Sequence, residues 1–148
     1  MNTEIRIRPV EESDFSQIVS LFKDFAIFEK APEKMTNSVE RMNKEKAFFN
    51  CFVAETEDNQ IIGYVTYFFG YYTWIGKSLY MDDLYVKPEY RANGIGTKLI
   101  NKVIEFAKDS ECHKLRWQVS EWNKPAIGFY KNIGAQVDGS EQNCDLIF

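Results

Sequence analysis

Apolar and polar residues alternate at the start of the chain, where Ile5, Ile7 and Val10 surround Arg6 and Arg8, and this period of two predicts a first strand. The period then changes. Phe15, Ile18, Val19, Phe22, Phe25 and Ala26 recur at helical spacing up to about Phe28 and Glu29, with Asp14 as the expected cap, Gln17 three residues on, and Pro32 as the breaker. Residues 36–46 are polar and predict a shallower second helix. Residues 51–55 and 61–69 read as two strands joined by the turn-forming Glu57, Asp58 and Asn59, an antiparallel hairpin. A loop carrying Tyr71, Tyr72, Trp74 and Gly76 leads to a strand over 79–86, which Pro88 stops. From Gly94 to Asp109 the residues Ile95, Leu99, Ile100, Val103, Ile104 and Ala107 share one face of an amphipathic helix. A strand over 115–120 follows. The last helix is capped by Asn123, carries Pro125 in its first turn and has Gly134 just past its end. The tail, residues 135–148, is expected to return as one or two strands.

The predicted order is β-α-α-β-β-β-α-β-α-β. Its first half is antiparallel, whereas the strand–helix–strand unit over 79–120 demands a parallel pair through a right-handed crossover. The expected class is therefore mixed α/β (α+β), a single domain over residues 1–148 rather than a doubly wound sheet. No linker, repeat or low-complexity segment divides the 148 residues, a length that suits one real core.

Charge and composition narrow the partners. With 18 Lys+Arg against 22 Asp+Glu, the net charge of −4 argues against a nucleic-acid binder. The longest apolar stretch, about 61–70, falls well short of the roughly 20 residues that span a bilayer, and Met1 leads into a polar segment with no secretory core, so neither membrane nor export is expected. Cys51, Cys112 and Cys144 are odd in number and scattered, as reduced thiols in a cytoplasm are. His113 has no partner at metal-ligand spacing, so no metal is expected. Aromatic residues reach 16%, a surplus of rings that needs placing.

The chemistry begins at the glycines. Arg91, Ala92, Asn93, Gly94, Ile95, Gly96 and Thr97 join a strand to a helix start, where backbone N–H groups, the helix dipole and the Arg91 charge can meet a phosphate or pyrophosphate. A dinucleotide fingerprint would need a third glycine near Leu99, and a Walker loop would need Gly-Lys-Ser/Thr where Gly96-Thr97-Lys98 stands. A bare glycine pair more often makes only a tight turn; Arg91 and the flanking elements favour the anion.

Arg91-x-x-Gly94-x-Gly96 resembles the Arg/Gln-x-x-Gly-x-Gly/Ala signature of the GNAT superfamily of N-acetyltransferases. The run from Trp74 through Asp82-Asp83 to Arg91, and Glu121-Trp-Asn123-Lys-Pro-Ala-Ile-Gly-Phe-Tyr130 with its following Gly134-Ala135, are similar to the spermidine/spermine (diamine) and thialysine acetyltransferase subfamily. The likeness is close over about 51–135 and weak over 31–50 and the tail. It implies the GNAT fold, its parallel strand pair splayed around acetyl-CoA. The backbone of Leu84, Tyr85 and Val86 would lie along the pantetheine arm, and residues 91–97 would enclose the pyrophosphate. Asn123, Pro125 and Ala126 would touch the thioester end, with Tyr130 beside the sulfur. Phe28, Glu29, Trp74, Asp82 and Asp83 match substrate-side positions, and relatives of this type are homodimers acting on small amines. Asp82 stands where the family usually has Glu, Ala92 where glycine is common, and Gln142 where an acid is expected.

Acetyl transfer explains the residue types. An alkylamine with a pKa near 10.4 is protonated at neutral pH and attacks a thioester only as the free base. Asp82 can hold the cation and take its proton, directly or through water, a backbone N–H of the 84–86 strand can stabilise the oxyanion, and Tyr130 can protonate the leaving thiolate. Each has a plainer reading. Tyr130, among Ile127, Phe129 and Ile133, has the setting of a core tyrosine, and Glu29 that of an exposed helix end. Side chains alternate along a strand, so Asp82 and Asp83 should point to opposite faces, one functional and one structural. Acetylation of a protein lysine or N-terminus, and non-catalytic acyl-CoA binding, are the competing functions.

Overall fold

The structure, a computed structural model, describes residues 4–148, so the polar start at Met1 lies outside the described residues. The chain forms two compact units, residues 1–117 and 118–148. The first contains a five-stranded sheet in the order β1 (Ile5–Pro9), β2 (Asn50–Thr56), β3 (Ile61–Tyr72), β4 (Gly76–Val86) and β5 (Leu115–Arg116). Neighbours run antiparallel except β4 and β5, which are parallel, as the strand–helix–strand pattern requires. The mixed α/β class is confirmed.

Two helices cover this sheet from opposite sides. From α1 (Phe15–Phe28), Phe15, Ile18 and Leu21 pack with Val53, Tyr64 and Tyr85 of the sheet. Phe22 meets Tyr64 edge-on, and Phe25 stacks on Tyr85. On the other face α3 (Ile95–Asp109) lies across β2, β3 and β4, with Leu99, Ile100 and Val103 buried and Phe106 among the rings of Phe52, Tyr67 and Phe69. Even-numbered β3 residues from Tyr64 to Tyr72 therefore share the α1 face, and the odd-numbered ones share the α3 face.

Several boundaries differ from the sequence reading. Asp14 does not cap α1 with its side chain. Its carboxylate instead accepts two bonds from Arg8, at 2.8 and 2.9 Å, and one from the Glu11 N–H at 2.8 Å. Gln17 reaches across to accept the Ile61 N–H at 2.9 Å. The second helix shrinks to α2 (Val39–Lys44), capped by Ser38. Strand β5 stops at Arg116 instead of extending to 120, and residues 135–148 form no strand, because that tail lacks the apolar alternation that would bury one face. The second unit is built on α4 (Lys124–Asn132).

Candidate active site

The pairing of β3 with β4 carries one irregularity, and it falls at the acids. Val65 pairs with Leu84 and Tyr67 with Met81, so Thr66 alone faces both Asp82 and Asp83. Two residues opposite one is a β-bulge, which kinks the strand and re-aims its side chains. Counted up from Tyr80 or down from Tyr85, both of which lie on the α1 face, Asp82 and Asp83 each fall on that same face. The expected division between opposite faces is thus overturned by the extra residue. The Thr66 hydroxyl accepts the Asp83 N–H at 3.0 Å and pins the bulge.

Asp83 sits deeper than Asp82. The fully buried Tyr64 hydroxyl donates to it over a long 3.5 Å. Burial, then the neighbouring Asp82 charge, push the Asp83 carboxyl up to about 7; the Tyr64 bond opposes this and Glu29 adds to it. Asp82 is more open to solvent, and desolvation raises it as well. Glu29, which directly follows α1, therefore belongs electrostatically to the same cluster. Beside it, the Phe28 ring lies 5.1 Å from the Arg91 guanidinium. Glu29, Asp82 and Asp83 come together as the sequence suggested. Trp74 does not join them: it stands fully exposed at the β3–β4 turn, at the other end of β4 from Val86.

The opposite end of β4 suits an acyl-CoA. Parallel pairing of β4 with β5 covers only Leu79 and Tyr80, so Leu84, Tyr85 and Val86 lie beyond it on the β5 side. Strand groups left in this way can pair with amides of a pantetheine arm. Past the turn Pro88–Tyr90, Ala92 takes φ +65° and Gly94 φ +76°, and Asn93 donates to the carbonyls of Tyr90 and Arg91, both at 3.1 Å. Ala92 occupies the left-handed conformation that favours glycine, which accounts for the family's preference there. Gly94 leads into Ile95, Gly96 and Thr97, whose helix start has no side-chain cap. A Cβ at Gly94 or Gly96 would meet nothing within 4 Å. Open space before uncapped N–H groups fits a pyrophosphate. Arg91 does not simply face that space: its Nε donates to the Val86 carbonyl at 2.8 Å and its guanidinium lies 5.4 Å from the Tyr85 ring.

The remaining sequence-predicted residues belong to the second unit. Asn123 caps α4, its side chain accepting the Ala126 N–H at 3.3 Å, with Pro125 in the first turn. Tyr130 is the buried residue of this helix, at 8% exposure. Sequence reasoning missed Tyr64, Thr66 and Tyr80. The apolar spacing held a signal, since the α3-face residues Leu79, Met81, Leu84 and Val86 skip three positions, instead of two, across the acids.

An opened parallel strand pair, an anion-receptive glycine turn and a bulged, partly buried pair of acids on one sheet are the features of an N-acetyltransferase. The chain belongs to the Acetyltransferase (GNAT) family, which it matches over residues 15–135. It is 40% identical over 142 residues to the thialysine N-epsilon-acetyltransferase of Mus musculus, covering 88% of this chain and 84% of the relative. It is 29% identical over 151 residues to the spermidine/spermine N(1)-acetyltransferase-like protein 1 of Homo sapiens, covering 95% of this chain and 22% of the relative. Among solved structures, a predicted acetyltransferase with acetyl-CoA from Clostridium acetobutylicum superimposes with a TM-score of 0.75 at 24% identity, covering 96% of each chain.

Proposed function

We propose that this chain uses acetyl-CoA to acetylate a primary amine of a small basic amino acid, diamine or polyamine, by direct attack on the thioester. The observation that carries this is the β4 bulge. It brings two carboxylates to one face, with Glu29 close by, immediately before the strand segment that leads to the glycine turn. The names of the relatives, which specify thialysine and spermidine/spermine, support the same substrate class.

Acetyl-CoA, when bound, supplies the activated acetyl group. Leu84, Tyr85 and Val86 offer backbone partners to its arm. Ala92, Asn93, Gly94, Ile95, Gly96 and Thr97 receive the pyrophosphate, while Arg91, tied to Val86, braces the loop and adds charge. Glu29, Asp82 and Asp83 draw in the ammonium group, and Phe28 packs against the substrate. Asp82 accepts the ammonium proton, directly or through water, because it is the more solvent-open acid and its raised pKa makes it a stronger base than an ordinary carboxylate. Burial, and then the Asp82 charge, favour the protonated form of Asp83. The freed amine forms the new C–N bond as the C–S bond breaks, and Tyr130 returns a proton to the sulfur. Asn123, Pro125 and Ala126 form the helix start that positions the acetyl end.

We further propose that the two units act as one domain, supported by a family match that runs through both. Free Cys51, Cys112 and Cys144 support a reducing, cytoplasmic setting. No helix among the described residues is long and apolar enough to cross a membrane. A homodimer is supported by the rings of Phe69 and Tyr71, exposed on the odd-numbered face of β3.

Asp82→Asn tests the central role. It should weaken amine capture and flatten the rise of kcat/KM with pH while leaving acetyl-CoA binding intact. A wild-type pH profile in this variant overturns the assignment.

A further inference from the structure

At the far end of the acid-bearing face, the β3–β4 turn and β5 enclose an open cleft of about 460 Å³ lined by Tyr72, Thr73, Trp74, Ile75, Lys114 and Arg116. In a chain of net charge −4 this cleft is locally cationic. Lys114 Nζ lies 4.4 Å, and the Arg116 guanidinium carbon 4.9 Å, from the centre of one ring, Tyr72. Among the described residues no carboxylate lies within ion-pair distance of either cation. Two like charges gathered on one aromatic ring without an acid suit an anion that arrives from outside.

The register ties the cleft to the acids. Arg116 pairs with Tyr80, and Tyr80 precedes Asp82 by two residues, roughly 7 Å along the strand. Tyr80 stacks on Phe68 at 5.0 Å, and both rings belong to the α1 face, as do Tyr72 and the bulged acids. Burial and then the Asp82 charge raise the Tyr80 phenol, and the Arg116 charge opposes them. One continuous face thus carries carboxylates, then aromatic rings, then two cations. That order mirrors a lysine-like amino acid, with a terminal ammonium, a methylene or thioether chain, and an α-carboxylate. A diamine or polyamine would place an ammonium group where Lys114 and Arg116 stand.

We propose that Lys114 and Arg116, held on Tyr72, form a carboxylate subsite that selects basic amino acids over the corresponding diamines; this rests on the small-amine reading above. Trp74 supplies an apolar wall to the same subsite. The coenzyme phosphates are a second possible source of negative charge, but their loop follows the opposite end of β4.

The test is calorimetric titration of thialysine and of its decarboxylated diamine into the wild type, Arg116→Gln and Lys114→Gln, each with CoA present, followed by turnover of both amines. Each substitution should weaken thialysine binding about tenfold, leave the diamine unchanged or tighter, and leave CoA affinity unaltered. The inference is overturned by equal changes for the two ligands, by no change in either variant, by a loss of CoA affinity instead, or by a wild type that does not bind thialysine. Selective loss of thialysine binding without wild-type turnover upholds the subsite and refutes the acetylation of small amines.

Discussion

Replacing Asp83 by Asn removes one charge from the bulge and keeps an acceptor for the Tyr64 hydroxyl. The native carboxyl is lifted from its ordinary 3.8 to about 7, chiefly by burial. A group that binds its proton more tightly when folded contributes stability fully present below the unfolded value and lost as pH rises through the folded one. Between about pH 4.5 and about pH 8, the wild type should lose about 3 kcal/mol from this residue, at 1.36 kcal/mol per unit of pKa shift. Asp83→Asn has no such proton to lose. Its advantage over the wild type should therefore grow by about 3 kcal/mol across that window, while amine capture weakens. With a urea m-value of about 1–3 kcal/mol/M, the difference between the two midpoints should change by at least about 1 M, readable by circular dichroism. A midpoint difference that is the same at both pH values would refute the claim that this carboxylate is buried at a cost.

Arg8 should behave in the opposite sense. It bridges Asp14 at 2.8 Å and Glu55 at 2.7 Å and holds both carboxyls below their usual range, so this cluster stabilises above the unfolded carboxyl values and weakens as pH falls through the folded ones. Arg8→Ala, which leaves buried Asp14 without an ion-pair partner and Glu55 with Arg6 alone, should cost about 3 kcal/mol at neutral pH by urea unfolding; a loss below about 1 kcal/mol would contradict the burial. Gly94→Ala places a side chain at φ +76° and should lower stability by about 1 kcal/mol. It should also weaken CoA binding in calorimetry, and undiminished affinity would remove the glycine turn from the phosphate site. Tyr130→Phe should lower kcat at unchanged acetyl-CoA affinity, and unaltered kcat would end its role as proton donor.

Much of this was legible in the sequence because it is local. The Asn123 cap, Pro125 and Gly134 delimit α4 from within a few residues, and the glycine turn sits between a strand and a helix that their own periodicities identify. What escaped depends on distant partners. Asp14 looks like a helix cap until Arg8 and Glu55 claim it. Asp82 and Asp83 look like an alternating pair until β3 supplies one residue against two. The tail offered scattered apolar residues, but no strand forms there. Arg116 lies in the expected strand and Lys114 just before it, and only the hairpin turn, more than thirty residues earlier in the chain, brings Tyr72 beneath them.

The identity of the acetyl acceptor tests acetyl transfer to a small amine most directly. Wild-type protein supplied with acetyl-CoA should release CoA thiol with thialysine and related small amines, with mass spectrometry placing one acetyl group on the terminal nitrogen. Release of thiol with lysine-bearing peptides or protein N-termini, and with no small amine in the panel, would contradict it.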